Sequence, residues 1–350
     1  MLPQGGNDLE GVMVFNKLFG GGNKDRGWQG PKTVKALFEK ELLFVAEQPQ
    51  DNQLDPKTIG DKKLYFFPID HDYPGGSAAM HNAVFRNFGL NKQAAFVVGD
   101  PANVGTIFDV LKADPLYDGG GAGSGFKDKV APHLDRLDQS AEAIGSVNVI
   151  SRENGDLVGY NTDGIGFVLG LLHEYPNCIE GKKILILGAG GTALPIAYEM
   201  SQRNPSEIVI SNRTVAKAEK IADLISPFTK ARAVGEDAIG AEMDGVGVIV
   251  NTSNKGAQPN EKFSAFAPMT GDVEGDMAIS LANVARLPKD AIVADILLEP
   301  LTTTMKLAQD NGNRTHSGRF MNLFQAVPAF KIMNKMKDED LQGIMSSVNT

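Results

Sequence analysis

The sequence predicts an α/β protein of two domains, one a doubly wound parallel sheet and the other a smaller α/β layer. Three observations carry that prediction. The chain has 350 residues, and a single hydrophobic core usually stops growing near about 250 to 300 residues. From Leu64 onward, short apolar runs alternate with stretches of helical periodicity, as parallel βαβ units require. The series restarts at Lys182, with a glycine turn between strand and helix.

Residues 1–60 mix Gly, Asn, Gln and Asp and read as an extension, with a single expected helix over Val34–Gln48 whose apolar stripe is Val34, Leu37, Leu42 and Val45. LYFFPI from Leu64 reads as a buried strand. The helix SAAMHNAVFRNFGL follows, with Ser77 as its N-cap, Met80, Val84 and Phe88 on one face, and Gly89 as its stop. AAFVVG is the next strand and VGTIFDVLKA the next helix. After GAGSGFK (121–127), the span KVAPHLDRLDQSAEAIG is helical or turn-rich, SVNVISR is a strand, and Asn154-Gly155 a turn. LVGYNTDGIGFVLGLLHEY passes from strand through a polar turn into an apolar helix that ends before Pro176.

In the second series, KKILILGAGGTALPIAYEM reads strand, glycine turn, helix; SEIVISNRT and VAKAEKIADLI are the next strand and helix, and GVGVIVNTS and AIVADIL are further strands. Gly188, Ala189, Gly190, Gly191, Thr192 and Ala193 match the Rossmann dinucleotide fingerprint in its alanine-ending form. Small residues there permit a tight turn and let backbone NH groups at the helix start approach a pyrophosphate. About 20 residues on, NAD-binding chains carry Asp or Glu for the ribose hydroxyls. This chain has Ser211-Asn212-Arg213-Thr214, with Lys217 one turn later, a set suited to a 2′-phosphate, so the expected cofactor is NADP. The alternative is that Arg213 and Lys217 are solvated surface cations.

Composition narrows the function classes. A net charge of −9 disfavours nucleic acid as a partner. The lone Cys178 can form no intrachain disulfide, and His71, His81, His133 and His316 show no metal-ligand spacing, so no metal is expected. The N-terminus lacks a signal-peptide pattern and there is no apolar run of about 18 residues, so a cytoplasmic protein with no membrane partner is expected.

GAGSGFK leaves its own role open: its glycines suit a phosphate cradle or a flexible turn, and Lys127 suits acid–base chemistry. Lys127, Asn148 in AIGSVN and Asp163 in GYNTDG are polar residues where loops meet strands. Taken alone, Lys127 and Asp163 read equally as a surface cation and a helix-capping aspartate. With SAAMHNAVFRNFGL, FKDKVAPHLDRLDQSAEAIGSVN, GYNTDGIGF, LGAGGTA, SNRT and MNLFQAVPAF, the chain resembles the shikimate dehydrogenase family, quinate dehydrogenases included, over about Leu64–Met336. The spacing of AIGSVN and GYNTDG is the most specific match.

The resemblance implies a Rossmann NADP-binding domain (166–318), a smaller α/β substrate domain (61–165), and a C-terminal helix (319–350) that returns to the substrate domain. It implies that Lys127 and Asp163 form the catalytic pair, and that Ser77, Asn148 and Gln325 bind a small cyclic hydroxy acid; the residues leave monomer and homodimer both open. Such chemistry is self-consistent: hydride transfer to a ring carbon requires a proton at the attached oxygen, and a lysine balanced by a carboxylate can supply it. The departures cluster around the substrate. Gly75 replaces the first of two serines expected to hold a carboxylate, Gly121 and Gly123 replace an asparagine and a threonine, Gly125-Phe126 replaces Pro-His, and Phe320 replaces a small glycine. These losses motivate a second reading, a catalytically weak module that binds NADP(H) or a metabolite.

Overall fold

The structure is a computed structural model that describes residues 31–47, 54–57, 59–71, 76–336 and 341–347, without the Phe320 side chain. Residues 1–30 of the expected extension, Gln48 and Gly75 therefore lie outside the described residues, as does any contact of the Phe320 ring. The described residues fall into two compact units: those up to Asn161 together with Ala329 onward, and Thr162–Pro328.

The first unit holds β1 (Phe44–Val45), β2 (Lys63–Ile69), β3 (Lys92–Val98), β4 (Tyr117–Gly121), β5 (Arg136–Leu137), β6 (Val149–Glu153) and β7 (Asp156–Tyr160). Their order in the sheet is β1-β3-β2-β4-β6-β7-β5. β3, β2 and β4 are parallel and joined by the helices Ser77–Asn87 and Val104–Ala113, as the alternating pattern predicts. β2 is buried from Leu64 to Ile69, the condition of a central parallel strand covered on both faces. Phe66 of β2 packs in one core with Phe108, Tyr117, Phe126 and Ile150. β6 and β7 form an antiparallel hairpin, with Glu153 paired to Asp156. Asn154 (φ 54°) and Gly155 (φ 102°) supply the two left-handed residues that this two-residue turn needs.

Two expectations are corrected here, and one strand is added. The first helix covers only Val34–Glu39: Glu41 takes φ 55°, and the chain turns into β1, which pairs antiparallel with β3 through Phe44 and Val98. Ser77 is the first helical residue and Gly76 occupies the cap position, so Ser77 caps nothing. β4 was hidden because YDGGG has neither strand propensity nor alternation. Its place is fixed by backbone pairing to β2 and β6, and Gly120 (φ 136°) brings that backbone so close that a Cβ would lie 2.0 Å from the Phe66 carbonyl oxygen.

Polar groups tie this unit together. Lys92 Nζ donates to Tyr65 Oη (2.7 Å) and to Asn334 Oδ1 (2.7 Å), anchoring the end of the helix Met321–Asn334. His81 lies among the rings of Phe67, Phe85 and Phe330, and its Nδ1 donates to the Ser77 carbonyl at 2.7 Å. Burial pushes its pKa down to about 4, so it serves as a neutral part of the core.

The second unit is one parallel sheet of β8 (Lys183–Leu187), β9 (Glu207–Ser211), β10 (Ala231–Val234), β11 (Val246–Asn251), β12 (Ile292–Asp295) and β13 (Arg314–Ser317). Its order is β10-β9-β8-β11-β12-β13, with every neighbouring pair parallel. Counted from β8 this is 3-2-1-4-5-6, the doubly wound arrangement that binds dinucleotides outside the carboxyl ends of its strands. The helices Ala193–Ser201 and Val215–Ile225 follow their strands as the sequence predicts. β10 and β13, reading ARAV and RTHS, are too short and polar to announce themselves and are held by the strands they pair with. The helix Asp163–Glu174 closes on Ala193–Ser201 at Gly164, where a Cβ would lie 2.1 Å from the Pro195 carbonyl oxygen.

Candidate active site

The glycine turn follows β8 and opens the helix Ala193–Ser201, placing backbone NH groups and the positive end of the helix dipole at the carboxyl edge of the sheet. Gly188 has φ 117°, and a Cβ there would meet Thr252 Oγ1 at 2.9 Å and Ser253 N at 3.0 Å, so no side chain fits. Gly190 would meet only the Thr252 carbonyl at 3.6 Å, and Gly191 nothing within 4 Å. A cradle closed beneath Gly188 and open above Gly190 and Gly191 fits a diphosphate.

Thr252 Oγ1 donates to the Leu187 and Gly188 carbonyls (3.2 and 3.1 Å), and Asn212 Oδ1 accepts from Ala189 N at 3.1 Å while its Nδ2 donates to the Thr214 carbonyl at 2.9 Å. The Asn212 side chain thus locks the glycine turn to the loop after β9. Arg213, Thr214 and Lys217 lie exposed on that loop and the helix start beside it, accessible to a phosphate.

Behind this edge lies a network the sequence did not announce. Asn251 and Asp295 end adjacent strands in register. Asp295 Oδ2 accepts from Asn251 Nδ2 (3.0 Å) and Thr302 Oγ1 (2.7 Å), and Oδ1 accepts from Leu297 N (3.1 Å). Asp295 is 0% exposed, and burial pushes its pKa up to about 6 against the pull of those donors. A raised carboxyl pKa means that the folded state holds the proton more tightly. The group's stability contribution is therefore full below about pH 4 and is lost as the pH rises through 6, a change of about 3 kcal/mol. Urea unfolding of wild type and Asp295→Asn, followed from pH 4 to pH 8, is expected to give a stability difference that shifts by that amount; a pH-independent difference would refute it.

The chemical residues divide between the units. In the first, GAGSGFK leaves β4 and turns so that Lys127 N donates to the Gly123 carbonyl at 3.1 Å. Phe126 is fully buried and acts as the loop's anchor, and Lys127 is half-buried. Val147 N donates to the Lys127 carbonyl (3.0 Å) and Asn148 N to the Tyr160 carbonyl (3.0 Å), which brings Lys127, half-buried Asn148 and the GYNTDG strand together. Ser77 begins its helix half-buried. In the second unit, Asp163, 7% exposed, starts the helix Asp163–Glu174, and Gly166 one turn on meets Gln325, whose Cβ lies 2.5 Å from where a Gly166 Cβ would be. Gln325 Nε2 donates to Asn322 Oδ1 at 3.3 Å, and its Oε1 is buried with no hydrogen-bond partner among the described residues. A lone buried acceptor of this kind carries an energetic cost unless a ligand group satisfies it.

Two of the glycine departures, Gly121 and Gly125, have steric causes. A Cβ at Gly121 would lie 2.7 Å from both the Asn148 carbonyl oxygen and the Phe67 ring, and one at Gly125 (φ 75°) would lie 2.5 Å from Asp70 Oδ2. Phe67 and the Asp70 carboxylate occupy the space that larger loop residues would need, so the loop is packed by its neighbours.

A family profile described as "Shikimate dehydrogenase substrate binding domain" matches residues 68–150, and one described as "Shikimate / quinate 5-dehydrogenase" matches residues 171–253. The shikimate dehydrogenase (NADP(+)) of Methanocaldococcus jannaschii is 34% identical over 283 residues, 79% of this chain and 90% of that protein. A solved shikimate dehydrogenase in complex with NADP+ gives a TM-score of 0.67 at 30% identity and covers 86% of this chain and 99% of its own. The shikimate 5-dehydrogenase of Listeria monocytogenes, solved with shikimate and NAD, gives 0.72 at 25% identity and covers 82% and 96%. No helix among the described residues is long and apolar enough to cross a membrane.

Proposed function

The chain belongs to the shikimate dehydrogenase family, and from that premise we propose that it is an NADP-dependent cytoplasmic oxidoreductase that reversibly reduces 3-dehydroshikimate to shikimate, or acts on a related cyclic hydroxy acid such as quinate. The observation that supports this most is the Val147–Lys127 backbone bond, which seats the GAGSGFK lysine beside Asn148. A merely flexible glycine turn would need no such fixed seat.

When bound, NADPH supplies the hydride. Within the glycine turn Gly188–Ala193, the backbone NH groups of Gly190, Gly191 and Thr192 would hold the diphosphate, since those of Gly188, Ala189 and Ala193 donate to the Ser211 carbonyl, Asn212 Oδ1 and the Gly190 carbonyl; Arg213, Thr214 and Lys217 would hold the 2′-phosphate, and Asn212 keeps turn and loop in register. Lys127 Nζ delivers the proton to the ketone oxygen during reduction and accepts it in the reverse direction. The Asp163 carboxylate balances the ammonium charge and orients it. Ser77, Asn148 and the buried Gln325 Oε1 bind ring substituents, Gln325 by accepting from a hydroxyl.

The test is NADPH oxidation against a panel of dehydroshikimate, dehydroquinate and related ring ketones. Turnover is expected with at least one, lost in Lys127→Ala and in Asp163→Asn. Tight NADPH binding with no turnover across the panel would replace this reading with the metabolite-binding one. Arg213→Ala is expected to reduce the preference for NADPH over NADH by about 10- to 100-fold, the worth of a charge-assisted phosphate contact. An unchanged ratio of the two KM values would place Arg213 outside the cofactor site.

A further inference from the structure

The crossover helix between β11 and β12, Val273–Val284, is amphipathic in reverse. A surface helix ordinarily turns its apolar stripe to the core and its polar residues to water. Here the inward face carries Asp276 (5% exposed) and Ser280 (1%), while Leu281 (52%) and Ile279 (45%) stand outward. Hydrogen bonds hold this orientation. Asp276 Oδ2 accepts from Thr270 N (2.9 Å) and Oδ1 from Thr270 Oγ1 (2.8 Å), Ser264 Oγ donates to Ser280 Oγ (3.1 Å), and Asn283 Nδ2 donates to the Phe266 carbonyl (2.8 Å). The polar side chains anchor the helix to the segment before it, and Ala278, Leu281, Ala282 and, just beyond the helix, Ala285 are left in an exposed line.

A contiguous exposed apolar face marks an interaction site, and the charges at its two ends indicate the partner. Glu274 and Arg286, both exposed, lie six positions to either side of Ser280, and Ala278 and Ala282 lie two positions to either side. The helix is therefore complementary to itself run in the opposite direction. Two copies crossing antiparallel about a dyad at Ser280 place Glu274 near the partner's Arg286, Ala278 against the partner's Ala282, and Leu281 and Ile279 beside the dyad. Such a contact is isologous and closes on itself, giving a dimer and not a filament. Arg286 also pairs with Asp244 of its own chain, but that pair is exposed, and a guanidinium has donors enough for a second carboxylate. A membrane surface fits poorly, because the first turn is acidic, with Glu274 and Asp276, and the last turn has no basic residue.

We propose that the outward face of the helix Val273–Val284 is a self-association surface through which two copies of this chain form a twofold dimer. The inference does not depend on the cofactor reading, since Glu274, Leu281 and Arg286 belong to no part of the candidate active site. One helix from each copy gives less than a standard interface of about 1,200 to 2,000 Å², so the association is expected to be weak, with a Kd in the micromolar range.

The experiment is sedimentation velocity of the full chain from about 1 to about 300 μM, a range that spans such a Kd. Wild type is expected to pass from monomer to dimer as concentration rises, and Leu281→Asp to stay monomeric throughout. Glu274→Arg and Arg286→Glu, each of which sets like charges together at both ends of the crossing, are each expected to raise the Kd at least about tenfold. An equimolar mixture of these two variants restores opposite charges at both ends, and is expected to form a heterodimer with a Kd within about threefold of wild type. All three positions are exposed, so each variant is expected to keep the wild-type near-ultraviolet circular dichroism. A wild type that stays monomeric would overturn the proposal and leave the face to a different protein. Charge variants that dimerise as tightly as wild type, or a mixture that associates no better than its components, would overturn it equally.

Discussion

Lys127→Ala is expected to lower kcat for ketone reduction by about a hundredfold to ten-thousandfold, the range of a positioned proton donor, while NADPH affinity stays within about twofold of wild type. The loop is expected to survive the change, because its fixed points are main-chain bonds, Lys127 N to the Gly123 carbonyl and Val147 N to the Lys127 carbonyl, together with the buried Phe126 ring. The effect is therefore chemical. Lys127→Arg tests that directly: a guanidinium keeps the charge but does not give up its proton near neutral pH, so it is expected to restore substrate binding and not turnover. Stopped-flow measurement of hydride transfer, with KM determined separately, checks both outcomes. A Lys127→Ala enzyme within about threefold of wild-type kcat would remove the lysine from the chemistry and return GAGSGFK to the status of a structural turn.

Gly120→Ala carries the largest expected loss of stability, at least about 4 kcal/mol, the range reserved for steric conflict in a packed backbone. Two causes act together. The residue holds φ 136°, a conformation that side-chain-bearing residues rarely adopt, and the new methyl would sit 2.0 Å from the Phe66 carbonyl oxygen and 2.6 Å from Phe66 N, at the Phe66–Gly120 pair that ends the β2–β4 register. Relief would require β4 to separate from β2 and expose Phe66 and Tyr117. Urea unfolding with near-ultraviolet circular dichroism is expected to show the first unit unfolded or strongly destabilised. Gly191→Ala, where a Cβ meets nothing within 4 Å, is expected to leave stability unchanged. Comparable stability for Gly120→Ala and wild type would mean that this strand pairing is looser than the distances imply.

The parts of the fold legible in the sequence were those whose signal is local. β8, the helix Val215–Ile225 and the Asn154–Gly155 hairpin each owe their form to neighbours within a few residues: an apolar run, a 3.6-residue period, a pair of left-handed turn residues. The strand–glycine turn–helix at Gly188–Ala193 was legible for the same reason, since its fingerprint can be read along the chain. β4, β10 and β13 were not, because their residues are poor strand formers that become strands through the neighbours they pair with. The expected helix to Gln48 failed at Glu41, where the chain turns to supply an edge strand to β3.

The sequence by itself determined the fold class, the cofactor turn and the identity of the residues that carry the candidate chemistry, because each depends on residue type at a fixed spacing. Only the tertiary structure decided which of those residues are seated together and in what surroundings. Asn212 is spent on locking Ala189 to Thr214, Gln325 Oε1 lies buried without a partner among the described residues, Phe67 and Asp70 fill the space beside the loop glycines, and Glu236 meets Lys255 across 19 positions. The physical reason is that burial and hydrogen bonding are properties of neighbourhoods assembled from distant segments, and a side chain's type does not state who its neighbours will be.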